Sequence, residues 1–410
     1  MNYKISANKR SIETTIDLPA SKSISNRVLI MNAMCQRPAH IGNLAKCDDT
    51  DVMVKALSGN GTHIDIGAAG TAMRFLTAYY SQKPGVHIVT GSERMRKRPI
   101  GLLVDALNQA GAQVEYAGEE GFPPLRITGK KLKGGHIALD GGVSSQYISA
   151  LMMAAPSMED GLELELTGKV VSLPYILMTK QLMEQFGIKV TFENGKLINI
   201  APQEYTALEM DVESDWSGSS YWYEIAALSD NAEIRLPRLY SNSVQGDSRI
   251  AELFKPLGVR TTFEGCDVVL KKVQEAIKHY DLSLVDQPDL AQTFVVTCCM
   301  LGTTFKFSGL GNLKIKETDR IAALIAEMAK LGYKVEEEEE GTLVWKGERS
   351  TVSGTASIKT YEDHRMAMAF APACIKVNQI HINDAQVVSK SYPKYWEDLK
   401  KADFCIEEIQ

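Results

Sequence analysis

Four times along this chain a helical run ends at a glycine and a short β-prone run begins at once. The glycines are Gly111, Gly187, Gly258 and Gly332, following VDALNQA, TKQLMEQF, IAELFKPL and IAEMAKL, and they are spaced 76, 71 and 74 residues apart. Helices commonly end on a left-handed residue, a conformation glycine adopts without steric penalty. The runs AQVEYA, IKVTFE, VRTTFE and YKVEEE then read as strands, each followed by a polar turn and a second strand. A fifth copy ends at Gly59 or Gly61. Such a period is long for a solenoid and suits a repeated α/β subdomain that buries a helix under a small sheet. The chain is therefore expected to be α/β, assembled from several βαβ-like pieces with packed helices, its two halves sharing one architecture. A chain of 410 residues also exceeds one ordinary core. The small polar run MDVESDWSGSS, around Asp211 to Ser220, marks the break between halves, with the matching crossover near Leu18 and Pro19.

The charge balance narrows the ligand. A net charge of −6 argues against a broad nucleic-acid surface, which needs a basic face to displace counterions. Basic residues nevertheless cluster: Arg94, Arg96, Lys97 and Arg98 within five positions, Lys314, Lys316 and Arg320 within seven. Cationic spots on an acidic chain fit a small anion. No stretch approaches 18 uninterrupted apolar residues and the start, MNYKISANKR, lacks a signal-like apolar run, so a cytoplasmic protein without a membrane partner is expected. The seven cysteines form neither a CxxC pair nor a disulfide framework and read as reduced thiols. The acidic run Glu336 to Glu340, in the turn region of one copy, reads as a solvated face rather than a metal site.

Several polar segments sit where a strand gives way to a helix, the place where free backbone N–H groups and the helix dipole attract anions. Pro19 to Arg27 follows TTIDLP and precedes VLIMNAM, with Lys22 and Arg27 adding full charges; a capping serine with two solvated bases is the bland alternative. Gly67 to Arg74 precedes FLTAYY, and its small residues would let a ligand approach the backbone, although a glycine-rich helix start is more often only a turn. It matches neither a dinucleotide nor an ATP phosphate loop. Arg94 to Pro99 crowds four bases into a loop where a bound anion would relieve their repulsion, and Arg98, before a proline, is the best fixed. Gly142 to Tyr147 and Ser172 to Tyr175 offer neutral donors or mere caps.

Carboxylates enter in the second half. Asn312 to Arg320 leads into IAALIAEMAKL, with Glu317 and Arg320 one turn apart on one side. Together with Asp289 upstream, Glu317 makes a pair of carboxylates available for proton transfer among cations, against the plain alternative of surface ion pairs. His364 stands between Asp363 and Arg365 at the start of MAMAFAPA, and Ser389 to Pro393 carries Lys390.

In this order the segments SKSISNR, GTAMR, RMRKRPI, SSQY, KETDR and DHRMAM resemble the 5-enolpyruvylshikimate-3-phosphate (EPSP) synthases, enolpyruvyl transferases of aromatic amino-acid biosynthesis, over nearly the whole chain. The resemblance implies two similar domains, each of three βαβαββ units with helices inside and sheets outside. One would run over residues 19–214 and the other over 1–18 plus 215–410, with substrates in a cleft between them that closes. Lys22, Ser23, Arg27, Ser144, Ser145, Gln146, Ser172, Asp289, Asn312 and Lys316 would hold shikimate 3-phosphate, with Tyr175 near its ring. Phosphoenolpyruvate would lie against Lys22, Gly70, Arg98, Gln146, Arg320, Arg365 and Lys390, with Asp289 as proton acceptor and Glu317 as proton donor. The resemblance further implies a monomer without cofactor or metal, adding the acceptor 5-hydroxyl to C2 of the enol and then eliminating phosphate. Ala68 stands where many relatives carry asparagine. Two alternatives are an enolpyruvyl transferase acting on UDP-N-acetylglucosamine, whose mobile loop usually carries a cysteine that RMRKRP lacks, and an anion sensor, which gains nothing from two carboxylates.

Overall fold

The structure, a computed structural model, describes all residues except Lys9, Asn60, Val143 and Gln410; Val143, part of the serine-containing helix start named above, thus lies outside the described residues. By internal packing the chain divides into two units, Ala20–Val212 and Met1–Pro19 with Glu213–Gln410.

Each four-stranded sheet repeats one plan. In the first unit His63–Asp65 runs parallel to Gly85–Thr90, the two joined through the helix Gly70–Tyr80, because parallel neighbours need a crossover. The helix Gly101–Gln109 follows, and Val114–Tyr116 and Leu125–Gly129 complete the sheet antiparallel. Gly135–Asp140, Leu162–Thr167, Leu197–Ile200 and Thr191–Glu193 build a second sheet in the same order. The other unit contains three more: Ser11–Thr15 with residues 231–272, His279–Ser283 with residues 304–345, and Ser357–Ile358 with Gln379–Ile382, Asn2–Ala7 and Phe404–Ile409. The repeat is therefore βαβαββ, and the first two strands of the chain complete sheets formed mainly by the last two hundred residues.

Sequence explains which face lies inside. Leu162–Thr167 reads LELELT, and its leucines are buried while Glu163, Glu165 and Thr167 are exposed, the pattern of a sheet covered on one side. Helices Ser145–Ala154 and Ala291–Leu301 are apolar nearly all round and correspondingly buried. Gly111, Gly187, Gly258 and Gly332 have φ of +96°, +81°, +89° and +85°, so the spaced glycines are left-handed helix stops. The fifth copy differs. Gly59 caps Asp48–Ser58 in an extended conformation at φ −92°, and the associated pairing is only two-stranded, Ile41–Gly42 with Met210–Asp211. The acidic run is mostly exposed, as a solvated face should be. Glu336–Glu339 is an edge strand, in line with the strand read from YKVEEE, and its charges are paired: Lys314 with Glu337, Lys334 with Glu336, and Lys306 and Lys346 both with Glu338.

One core helix carries an unusual group. Trp216–Leu228 buries Glu224 completely, with neither carboxylate oxygen bonded to any described residue. Burial pushes its pKa well above the ordinary value. The folded protein therefore binds this proton more tightly than the unfolded chain, so the stability is intact below the usual carboxylate pKa and is lost as pH rises through the raised one. Glu224→Gln is expected to gain on the parent by about 1.4 kcal/mol per pH unit above roughly pH 5. Denaturant unfolding of both proteins between pH 5 and 8 checks this, and a constant gap would contradict it.

Candidate functional site

In the unit Ala20–Val212 the helix Lys22–Met34 starts on Ser21, whose hydroxyl accepts from the Ile24 N–H. Lys22 lies 3.2 Å from the buried carboxylate of Asp49, which belongs to the acidic first turn of Asp48–Ser58. Arg27, one turn on, is inside the unit rather than at its surface. It donates to the Thr179 hydroxyl at 2.8 Å, the Ser149 hydroxyl at 3.1 Å and the Ser23 carbonyl at 2.9 Å, and burial lowers its pKa to about 10. Ser23 is thus tied to Arg27 through its backbone. Ser172 is buried and left-handed at φ +55°, a strained setting for a non-glycine residue, immediately before the helix that carries Tyr175 and Thr179. Ser144 caps Ser145–Ala154 by accepting from the Gln146 N–H, as the bland alternative had it, and the Gln146 side chain donates to Thr71 at 3.2 Å.

The four-base loop separates. Arg94, Arg96 and Lys97 are exposed, the last paired with Glu93 at 2.7 Å on a one-turn helix, so solvent and local partners screen them and no shared anion is needed. Only Arg98 turns inward. It is 9% exposed, and among the described residues it makes no ion pair and its Nε has no acceptor. Its guanidinium lies on Gly70, where a Cβ would stand 2.6 Å from Nη1. Behind it, Arg74 and Tyr147 both donate to the Pro99 carbonyl, at 3.2 and 2.6 Å, and so fix the backbone next to Arg98.

In the other unit the carboxylates and cations interlock. Arg320, first residue of the helix Arg320–Lys330, donates to three carboxylates: Asp363 at 2.6 Å, Glu317 at 2.9 Å and Asp289 at 3.0 Å. Arg365 meets the other oxygen of Asp289 at 2.9 Å, Lys316 lies 3.8 Å from the oxygen that Arg320 holds, and Lys390 reaches Glu317 at 3.2 Å. Asn312 sits in the 3-10 turn Gly311–Ile315 just before Lys316. Lys316, Arg320, Arg365 and Lys390 thus surround Asp289, Glu317 and Asp363, leaving one positive charge in excess. Burial would raise the Asp289 pKa, yet Arg365, Lys316 and Arg320 hold it well below the carboxylate range. Burial lowers the pKa of Lys316.

Sequence reading passed over three of these groups. Asp49 and Thr179, partners of Lys22 and Arg27, lie in unremarkable helices, and only the acidic triplet Asp48, Asp49 and Asp51 offered a signal. Asp247, in QGDSRI, is buried, accepts from the Ser217 hydroxyl at 2.5 Å, and is pushed up to about 7, first by burial and then by the nearby charge of Asp289. The turn Thr360–Asp363 leads into the charged segment around His364. Its Tyr361 and Glu362 have φ of +55° and +57°, each costing about 1–3 kcal/mol for a non-glycine residue.

Compared with known proteins, the chain matches the family model of EPSP synthase (3-phosphoshikimate 1-carboxyvinyltransferase) over residues 7–63 and 58–399. It is 55% identical over 407 residues to a 3-phosphoshikimate 1-carboxyvinyltransferase of Bacteroides fragilis (strain YCH46), covering 99% of each chain. Against the enzyme of that name from Sulfurovum sp. (strain NBC37-1) it is 36% identical over 419 residues, covering 95% of this chain and 97% of the relative. Among solved structures, an EPSP synthase from Acinetobacter baumannii superposes with a TM-score of 0.79 at 20% identity, covering 99% of this chain and all of that one.

Proposed function

Because the chain belongs to the EPSP synthase family, we propose that its two sets of cationic residues serve one pair of substrates and that Asp289 and Glu317 divide the proton transfers between them. The reaction is transfer of the enolpyruvyl group of phosphoenolpyruvate to shikimate 3-phosphate, releasing phosphate, in the shikimate pathway. The observation that carries the residue assignment is one guanidinium, Arg320, shared by both carboxylates.

Each phosphate brings roughly −1.5 to −2 charges at neutral pH, so the two substrates repel unless cations intervene. Phosphoenolpyruvate is assigned to Lys22, Gly70, Arg98, Gln146, Arg320, Arg365 and Lys390. Arg98 supports this as a buried cation with no carboxylate partner among the described residues. Shikimate 3-phosphate is assigned to Lys22, Ser23, Arg27, Ser144, Ser145, Gln146, Ser172, Tyr175, Asp289, Asn312 and Lys316. A phosphate or carboxylate that engages Arg320 and Arg365 draws them away from Asp289 and raises its basicity when the acceptor hydroxyl must lose a proton. Glu317, held by Arg320 and Lys390, delivers the proton to C3 of the enol. The hydroxyl oxygen bonds to C2, and the C2–O bond to phosphate then breaks as the proton leaves C3. The proposal extends to the fold, with helices inside and three sheets outside in each unit. A monomer in the cytoplasm completes the proposal; no described helix is long and apolar enough to cross a membrane.

Purified protein given both substrates is expected to release inorganic phosphate without added metal or nucleotide. Phosphate release only with UDP-N-acetylglucosamine as acceptor would replace the acceptor assignment. Binding of both ligands without release would make the chain a sensor.

A further inference from the structure

One helix grips the segment that carries Asp363 and Arg365 at two points. Arg320, at the start of Arg320–Lys330, bonds Asp363 through Nε at 2.6 Å and Nη2 at 3.4 Å. Glu327 stands seven residues further, two turns on and on the same face. It is fully buried. One of its oxygens accepts from the Tyr361 hydroxyl at 2.7 Å, and the other accepts from the Lys359 backbone N–H at 3.0 Å and the Lys330 ammonium at 2.6 Å.

Between the two grips lies the tight turn Thr360–Asp363, closed by the Asp363 N–H donating to the Thr360 carbonyl at 2.9 Å. Its two central residues, Tyr361 and Glu362, both have positive φ. That is the mirror-image turn normally occupied by glycine or asparagine. Tyrosine and glutamate have no such preference, so the turn holds only if its surroundings restrain it. The Glu362 side chain is exposed and cannot do so. Tyr361 is half-buried, anchored by its hydroxyl to Glu327, and the Lys359 ammonium lies 5.2 Å from its ring centroid.

We propose that Glu327 is a positioning residue for the reaction: by holding Tyr361 and Lys359 it keeps the strained turn wound, and the turn sets Asp363 and Arg365 against Arg320 and Asp289. The proposal rests on the assignment of Arg320 and Arg365 to phosphoenolpyruvate. Without the grip the turn relaxes toward ordinary φ, Asp363 moves away from Arg320, and both arginines lose their fixed geometry. Asn312 and Lys316 precede the helix, and Glu327 holds neither of them.

The test uses the full chain with Glu327→Gln, Tyr361→Phe, the double variant Glu327→Gln with Glu362→Asn, and Arg365→Ala as a control. Glu327→Gln is expected to raise KM for phosphoenolpyruvate about tenfold and Tyr361→Phe about threefold, with KM for shikimate 3-phosphate unchanged within about twofold. Asparagine at position 362 tolerates positive φ, so the double variant should recover most of the loss. A purely structural role would lower the melting temperature without this split between substrates and without rescue, and that result overturns the proposal. Should Glu327→Gln fold poorly, Tyr361→Phe, which deletes one hydroxyl, still decides: a KM for phosphoenolpyruvate within about 1.5-fold of the parent's overturns it. If Arg365→Ala itself leaves that KM unchanged, the binding assignment fails and takes the proposal with it; if only the Glu327 and Tyr361 variants leave it unchanged, the positioning role alone fails.

Discussion

Asp289→Ala is expected to lower kcat by about 10²- to 10⁴-fold, the usual contribution of a positioned proton acceptor. KM for phosphoenolpyruvate should fall or stay within a few-fold, because removing this carboxylate frees Arg320, Arg365 and Lys316 from an internal competitor. Steady-state phosphate release with each substrate varied separates the two effects. Equal losses in turnover and in phosphoenolpyruvate binding would show that Asp289 organises the cations and does not accept the proton. The pH profile gives a second reading. The cations hold the Asp289 carboxyl well below its usual range, so in the free protein it stays ionised across any working pH. An acid limb in kcat/KM above about pH 4 must therefore come from another group.

Arg98→Met should move binding and stability in opposite directions. The guanidinium is buried, and among the described residues its Nε has no acceptor and no carboxylate neutralises it. Removing a partner from a buried charge pair costs about 2–5 kcal/mol, so KM for phosphoenolpyruvate should rise about 100-fold while that for shikimate 3-phosphate changes little. In the substrate-free protein the same substitution removes an unsatisfied buried donor and should stabilise the unit Ala20–Val212 by about 1–2 kcal/mol. Thermal unfolding without ligand measures that half. A variant that loses both binding and stability would mean that Arg98 serves packing instead.

The repeats were legible in sequence because each helix must stop before its hairpin begins, and glycine is the residue that stops it most easily; Gly111, Gly187, Gly258 and Gly332 all record that constraint. Gly59 was less legible, since an extended cap can be built from many residues. Charged residues at helix starts pointed to Lys22, Arg98, Arg320 and Arg365. Their partners did not announce themselves. Asp49, Thr179, Asp247 and Glu327 meet their partners across separations of 27 to 152 residues, and nothing in a local pattern distinguishes a buried carboxylate from a solvated one. The same limit explains the loop Arg94 to Pro99, where sequence showed four equal bases and burial selected one. Strain was invisible for a different reason: Tyr361 and Glu362 are poor choices for left-handed backbone, and only tertiary contacts keep them there.

The placement of Asn2–Ala7 between Gln379–Ile382 and Phe404–Ile409 also has a consequence for biosynthesis. Residues 20–212 form a contiguous unit that can mature while the ribosome is still translating. The opening strand cannot. Its neighbours emerge some four hundred codons later, about 20–80 s at ordinary elongation rates, and until then it is an unpaired β segment in need of protection. Closure of that sheet is therefore a late step in maturation.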